Sequence, residues 1–333
     1  MADVLTALGM IMVPMNILGL VGGVLVGIAF GCMPGLSVNM GLALLFPLAF
    51  TFKGIGGILM LLGIYCGAIY GGSISAILLK TPGTPASVAT TLDGYPMATT
   101  LHQPGRALGL STMASTFGGI FSTICLILLA PQLAKIALQF SKPEYFALAI
   151  FGLSIITSVS SGSVLKGIMG GLFGLFLATV GIDDMSGAVR FTLDTTYFIG
   201  GVSFIPVLIG VFAFAQVLSS VEDYYHKEAA ETNLTLDRLL PSMDDMKRVF
   251  MTLIRSSFIG TFIGCVPGTG GDIASFVSYD QAKRWSKYGK NFGKGEPEGI
   301  CASEAGNNAV SGGAFIPVLT LGIPGDGATA IMM

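Results

Sequence analysis

The sequence predicts an all-α polytopic membrane protein made of two inverted-topology repeats, with transmembrane helices interrupted at Pro-Gly pairs. Three observations carry this. The 333 residues include 17 basic and 19 acidic ones, 11% charged against roughly a quarter in a soluble domain. Mean hydropathy is +0.78. Of the charges, 21 fall between Glu222 and Glu298, so the rest of the chain is nearly charge-free. Finally, blocks holding Pro-Gly recur late in the chain in the same order.

Charge-free runs give the elements in order: residues 4–52, 54–79, 107–134, 145–165, 167–182, 195–221, 256–271 and 305–325. A straight spanning helix needs about 20 residues, so most of these allow one crossing. The first is long but cut by Met33-Pro34-Gly35, and the seventh is short and cut by Val266-Pro267-Gly268. Pro removes a backbone donor and Gly weakens a helix, so each cut reads as a kink or as a hairpin tip.

The repeat favours the tip. Phe30 to Gly35 aligns with Ile263 to Gly268 at an offset of 233 residues, Gly67 to Gly72 with Asn308 to Gly313 at 241, and Pro82 to Ser87 with Pro324 to Thr329 at 242. A duplicated unit explains three blocks in one order. Five crossings between the two hairpins, an odd number, would invert the second repeat. With residues 222–255 in the cytoplasm, 13 Lys and Arg fall inside and four outside (Lys53, Lys135, Lys142, Arg190), as the positive-inside rule asks. Residues 1–221 thus read as a first repeat with connecting helices, 222–255 as a polar cytoplasmic connector, and 256–333 as the start of a second repeat. The N-terminus has no basic n-region, so it does not read as a cleavable signal.

Interrupted inverted repeats are a mark of secondary transporters, whose sites lie where the breaks converge. The second half of a broken helix presents unpaired N–H groups and the positive end of its dipole, which suits a carboxylate. Candidate substrate residues are therefore Pro34, Gly35, Ser37 and Asn39; Pro82, Gly83 and Thr84; Pro267, Gly268 and Thr269; and Pro324 and Gly325. Ser87 adds a donor. Glu304, Asn307 and Asn308 form a candidate cation-coupling cluster, for sodium or for a proton carried by Glu304, unless Glu304 merely sits in a first helical turn. Asp272 and Asp326 flank tips and are candidate cation ligands. Lys80 either attracts an anion or snorkels to an interface. Gly19, Gly23, Gly27 and Gly31 recur every fourth residue and read as a packing seam, as do the pairs Gly167 with Gly171 and Gly170 with Gly174.

Other classes find little support. No extended basic patch exists for nucleic acid. His102 and His226 cannot build a histidine-rich metal site, and Cys32, Cys66, Cys125, Cys265 and Cys301 lack metal or disulfide spacing. No cofactor is expected beyond a coupling sodium ion. An intramembrane protease would use Asp272 and Asp280, but they stand eight residues apart and Thr269 occupies a glycine position of that motif. A passive channel or scaffold remains the other alternative.

The chain resembles the large membrane subunit of the tripartite tricarboxylate transporters. The resemblance rests on Gly31-Cys-Met-Pro-Gly35, on Tyr70 to Ser87, on Asp93-Gly-Tyr-Pro96, on Gly264-Cys-Val-Pro-Gly268, on Glu304 to Ala309 and on Leu319 to Gly325. It implies ion-driven import of citrate-like carboxylates across the bacterial inner membrane by a multi-pass protein that is not an enzyme. It also implies two partners, a small membrane subunit and a periplasmic solute-binding protein. The tips and Glu304, Asn307 and Asn308 would then line the substrate and cation region. Asp326 departs from the small hydroxyl residue of many relatives. Members of that family are longer, so the sequence is expected to be a fragment or an incomplete product.

Overall fold

Glycine, proline and capping side chains set the helix boundaries more sharply than hydropathy does. The computed structural model describes residues 2–33, 35–139, 163–183, 187–203, 209–214 and 237–333, with a few isolated positions between 141 and 218. In chain order α1 is Ala2–Ile11, α2 Pro14–Cys32, α3 Val38–Ala49, α4 Gly56–Leu79, α5 Val88–Thr99 and α6 Pro104–Ala137. Then come α7 Val164–Ala178, α8 Met243–Gly264, α9 Gly271–Trp285, α10 Pro297–Leu321 and α11 Gly327–Met332. A two-residue antiparallel pairing joins Gly181–Ile182 to Val189–Arg190. Among the described residues α2, α4 and α6 are long and apolar enough to cross a membrane.

The first Pro-Gly cut is a reversal and not a kink. Gly35 takes φ +94°, a conformation open to glycine, and Ser37 then caps α3 by accepting from the Met40 N–H. The end of this arm returns to its start, where Phe52 packs beside Gly19. Helix α4 then runs parallel to α2: Gly19, Gly23, Gly27 and Gly31 meet the carbonyls of Gly56, Met60, Ile64 and Ala68 in turn. Any side chain on this seam would strike backbone, so the predicted packing role holds for these four. Gly170 and Gly174 instead face open space among the described residues.

The arrangement occurs twice. Gly268 takes φ +77°, α9 doubles back, and α10 runs parallel to α8 with Gly260 and Gly264 against the carbonyls of Gly306 and Val310. Ser37 and Gly270 are N-caps 233 residues apart, and Lys80 (φ 58°) and Gly322 (φ 66°) are left-handed C-caps 242 apart. Both offsets are those of the sequence repeat. The units meet through Ile77, Met97, Leu110, Val249 and Ile300 in one buried cluster, and through the Tyr65 and Phe315 rings, 6.2 Å apart.

The helix bounds do not follow the charge-free runs everywhere. Helix α8 begins at Met243, inside the stretch read as a connector, because Ser242 and Asp245 form a capping box that hydropathy does not register. Residues 167–182 hold most of the 15-residue α7, and the segment 195–221, described in part, holds the turn Thr196–Phe198 and the helical stretch Ile209–Phe214. Most of 145–165 lies outside the described residues, as does 221–236 with His226. Glu304 belongs to no first turn, since α10 starts seven residues earlier.

The polar segments gather at one end. Arg106 at the start of α6 pairs with Asp245, and Arg248 pairs with Glu296 at 2.6 Å while its guanidinium lies 3.8 Å from the Tyr288 ring centroid. Buried Asp93 accepts from the backbone N–H groups of Gly293, Gly295 and Glu296 and from the Tyr279 hydroxyl. Burial pushes its carboxyl above the usual carboxylate range, and these donors pull it partly back.

Candidate functional site

The four tips meet around one cavity of about 540 Å³. Helix α3 contributes Ser37, Val38 and Asn39, and the approach to α5 contributes Thr84, Pro85 and Ala86. The second unit contributes Gly268 to Ile273 at the head of α9, and Asp326, Gly327 and Ala328 at the head of α11. Tyr65 and Asn307 complete the wall from the long helices α4 and α10. None of the lining residues is Lys, Arg or His.

Each tip is built for close approach. Gly83 abuts the Gly31 carbonyl, and Gly325 abuts Ala314, so neither place has room for a Cβ. The Gly268 N–H donates to the Gly325 carbonyl at 2.9 Å, tying the second unit's two tips together. Thr269 donates its hydroxyl to the carbonyls of Val266 and Ile263, closing the exposed end of α8. At α9 the N-cap is Gly270, which supplies no side-chain acceptor, so the first N–H groups of that 15-residue helix are open towards the cavity.

Asn307 is the decisive side chain. It is fully buried, lines the cavity beside Gly271, and among the described residues neither its Oδ1 nor its Nδ2 has a hydrogen-bond partner. Leaving a buried amide unpaired costs about 1–3 kcal/mol per group, a cost that a bound polar ligand removes.

The structure sorts the expected residues into two groups. Ser37, Asn39, Thr84, Gly268 and Thr269 line the cavity; Gly35, Pro82, Gly83, Pro267, Pro324 and Gly325 shape the turns behind it. Pro34 lies outside the described residues. The Glu304, Asn307 and Asn308 cluster is divided. Asn307 faces the cavity, whereas Glu304 accepts from Thr90 and from Ser115 (2.9 Å), and Asn308 donates to Ser115 at 2.9 Å. Asp326 is committed to capping α11, accepting from the Thr329 N–H, and it also accepts from the Tyr65 hydroxyl at 2.5 Å. Asp272 is exposed at the cavity. Lys80 does not line it and stands over the Tyr95 ring, 5.5 Å from the centroid. Asp272 and Asp280 share the single helix α9, and Asp280 pairs with Arg284 at 2.7 Å.

Tyr65 was not among the expected residues, whereas Gly270 and Gly271 belong to the predicted tip Pro267 to Gly271. The glycines had a signal, standing at the N-cap position 233 residues after Ser37; Tyr65, inside an apolar run, had none.

The family description "Tripartite tricarboxylate transporter TctA family" matches residues 17–333. The chain belongs to the TctA family. A protein of Agrobacterium vitis, described as an uncharacterized 52.8 kDa protein in the TAR-I ttuC' 3' region, is 39% identical over 320 residues, 96% of this chain and 63% of that protein. A second protein of that organism, described as uncharacterized in the TAR-II ttuC' 3' region, is 43% identical over 74 residues, covering 22% of this chain and 31% of its own length. The chain thus spans a little under two thirds of the first relative. No solved structure matches. For a TctA-family membrane subunit, the convergence of both units' tips on one cavity is the feature to explain.

Proposed function

We propose that this chain belongs to a secondary importer of citrate-like carboxylates in the bacterial inner membrane, and that the tip cavity is its substrate site. The carrying observation is a cavity with open α9 N–H groups, an unpaired Asn307 amide and no basic lining residue. Fixed backbone donors hold a carboxylate without a strong ion pair, which permits release as well as binding.

We read the two units as inverted repeats. Tyr65 faces Phe315 while Ile77 clusters with Ile300, so contacts move forward along α4 as they move back along α10. Opposed units around a central site suit alternating access. The polar end would face the cytoplasm, a small membrane subunit and a periplasmic binding protein would complete the system, and the chain itself would be no enzyme. A pH or sodium gradient would drive uptake.

The test is uptake of labelled citrate and succinate by vesicles carrying the full-length gene product and its partner proteins, with and without each gradient. Gradient-dependent accumulation supports the reading. Passive equilibration only would make the protein a channel.

A further inference from the structure

Buried Glu304 has no role in the cavity just described, which it does not line. It sits two turns into α10 with no exposed surface and no cationic partner among the described residues. One carboxylate oxygen accepts from Thr90 on α5, the other from Ser115 on α6. Thr90 also bonds Ser303 at 3.0 Å, and Ser115 also accepts from the Asn308 amide. Every contact of this carboxyl with another helix therefore crosses from the second unit to α5 or α6.

Ser115 and Asn308 belong to a second cavity, of about 440 Å³, between α2, α4, α6 and α10. Its wall is mostly apolar but also carries the Tyr70, Thr112 and Ser311 hydroxyls, whose oxygens can accept from water. Glu304 is thus one hydroxyl away from this cavity, while Asn307, one turn along the same helix, faces the other.

We propose that Glu304 is the proton-binding site of the transporter, loaded from the second cavity through Ser115. A hydronium ion at the cavity wall gives a proton to Ser115 Oγ as the hydroxyl's own hydrogen passes to Glu304 Oε2, leaving water and a neutral carboxylic acid. Ionised, Glu304 accepts from both Thr90 and Ser115 and draws α5 and α6 onto α10. Protonated, it has a hydrogen to donate, and one of those two hydroxyls must turn away. Proton occupancy thereby sets the contact between the units on either side of the substrate cavity. A sodium ion would need an oxygen cage with room at its centre. Here hydroxyl groups already close on both carboxylate oxygens, and the Asn307 oxygen faces away. Titratable groups on the surrounding helices are engaged elsewhere: Asp93 with Tyr279, Arg106 with Asp245, and the Cys301 thiol with the Leu110 carbonyl.

This rests on the transport reading, so the test has two arms. In the first, infrared difference spectra of the purified full-length protein are recorded across a pH titration. A carboxylic-acid C=O band that changes across the titration and is missing in Glu304→Gln is expected; a titration unchanged by that substitution overturns the proposal. In the second, vesicles with trapped pyranine take up labelled citrate. Wild-type protein should acidify the lumen as citrate enters, and Glu304→Gln should retain citrate exchange while losing acceleration by a pH gradient at least tenfold. Accumulation driven by sodium alone, with no proton movement, overturns the proposal and leaves the transport reading standing. If wild-type protein moves no carboxylate, the transport reading fails and the infrared arm alone decides proton binding. Should Glu304→Gln not fold, Ser115→Ala keeps the carboxyl and must shift the titration.

Discussion

Helices α4 and α10 occupy equivalent places in the two units, and their differences separate scaffold from site. Both run parallel to the helix that opens their unit, and both end in a left-handed cap before a Pro-Gly tip. At the repeat offset of 241 residues, Glu304, Asn307 and Asn308 correspond to Gly63, Cys66 and Gly67. In α4 those glycines serve close packing: Gly63 and Gly67 rest on the Leu20 and Val24 carbonyls. In α10 the same positions carry the buried carboxyl and both amides. One copy of the unit keeps the helices close, and the other carries the polar chemistry.

The largest expected effect tests the shared half of this comparison. Gly23→Leu and Gly260→Leu drive a side chain into the backbone of the partner helix, at a cost above the roughly 1–3 kcal/mol of ordinary overpacking. Neither variant should yield folded protein in membranes. Gly22→Leu and Gly119→Leu, which meet nothing within 4 Å, should yield it normally. Equal yields from all four would refute the glycine seam.

The opening helices differ in how they start. Helix α2 follows Val13 with no side-chain cap, whereas α8 follows Ser242 with a capping box completed by Asp245, which also pairs with Arg106. Burial pushes the Asp245 carboxyl up, but Arg106 and Ser242 outweigh it and hold the carboxyl below its ordinary 3.8. A carboxyl lowered on folding stabilises above the unfolded value and loses that contribution as pH falls through the folded one. Asp245→Asn should therefore cost about 1–2 kcal/mol at neutral pH, and the gap from wild type should shrink below about pH 4. Detergent unfolding curves at both pH values check this; a constant gap would contradict it.

The smallest effect concerns the caps. Lys80 holds a left-handed conformation that Gly322 adopts freely at the matching position. Lys80→Gly should raise stability by up to about 1 kcal/mol, read as a higher unfolding temperature. A lower temperature would mean that the Lys80 contact with Tyr95 outweighs the backbone strain.

Much of this fold was legible in the sequence because tips, seams and repeats are local or periodic signals. Proline and glycine mark reversals, four-residue spacing marks a helix face, and fixed offsets mark duplication. Side-chain direction was less legible. Glu304, Asn307 and Asn308 look like one cluster along the chain, but about 100° of rotation per residue sends Asn307 to one side of Glu304 and Asn308 to the other. Packing of α5, α6 and α9 around α10 then assigns each face a different neighbour. Asp326 looked like a free ligand because its cap partner Thr329 and its donor Tyr65 show no mutual pattern in sequence.

If the tip cavity binds substrate through its unpaired polar groups, Asn307→Leu abolishes that binding. This replacement removes two buried, unpartnered polar atoms, so the unfolding temperature should hold or rise, by about 1 kcal/mol of stability at most. Measured in the same membranes, citrate uptake should fall at least a hundredfold. Normal uptake by a stable Asn307→Leu protein would show that the cavity is not the site.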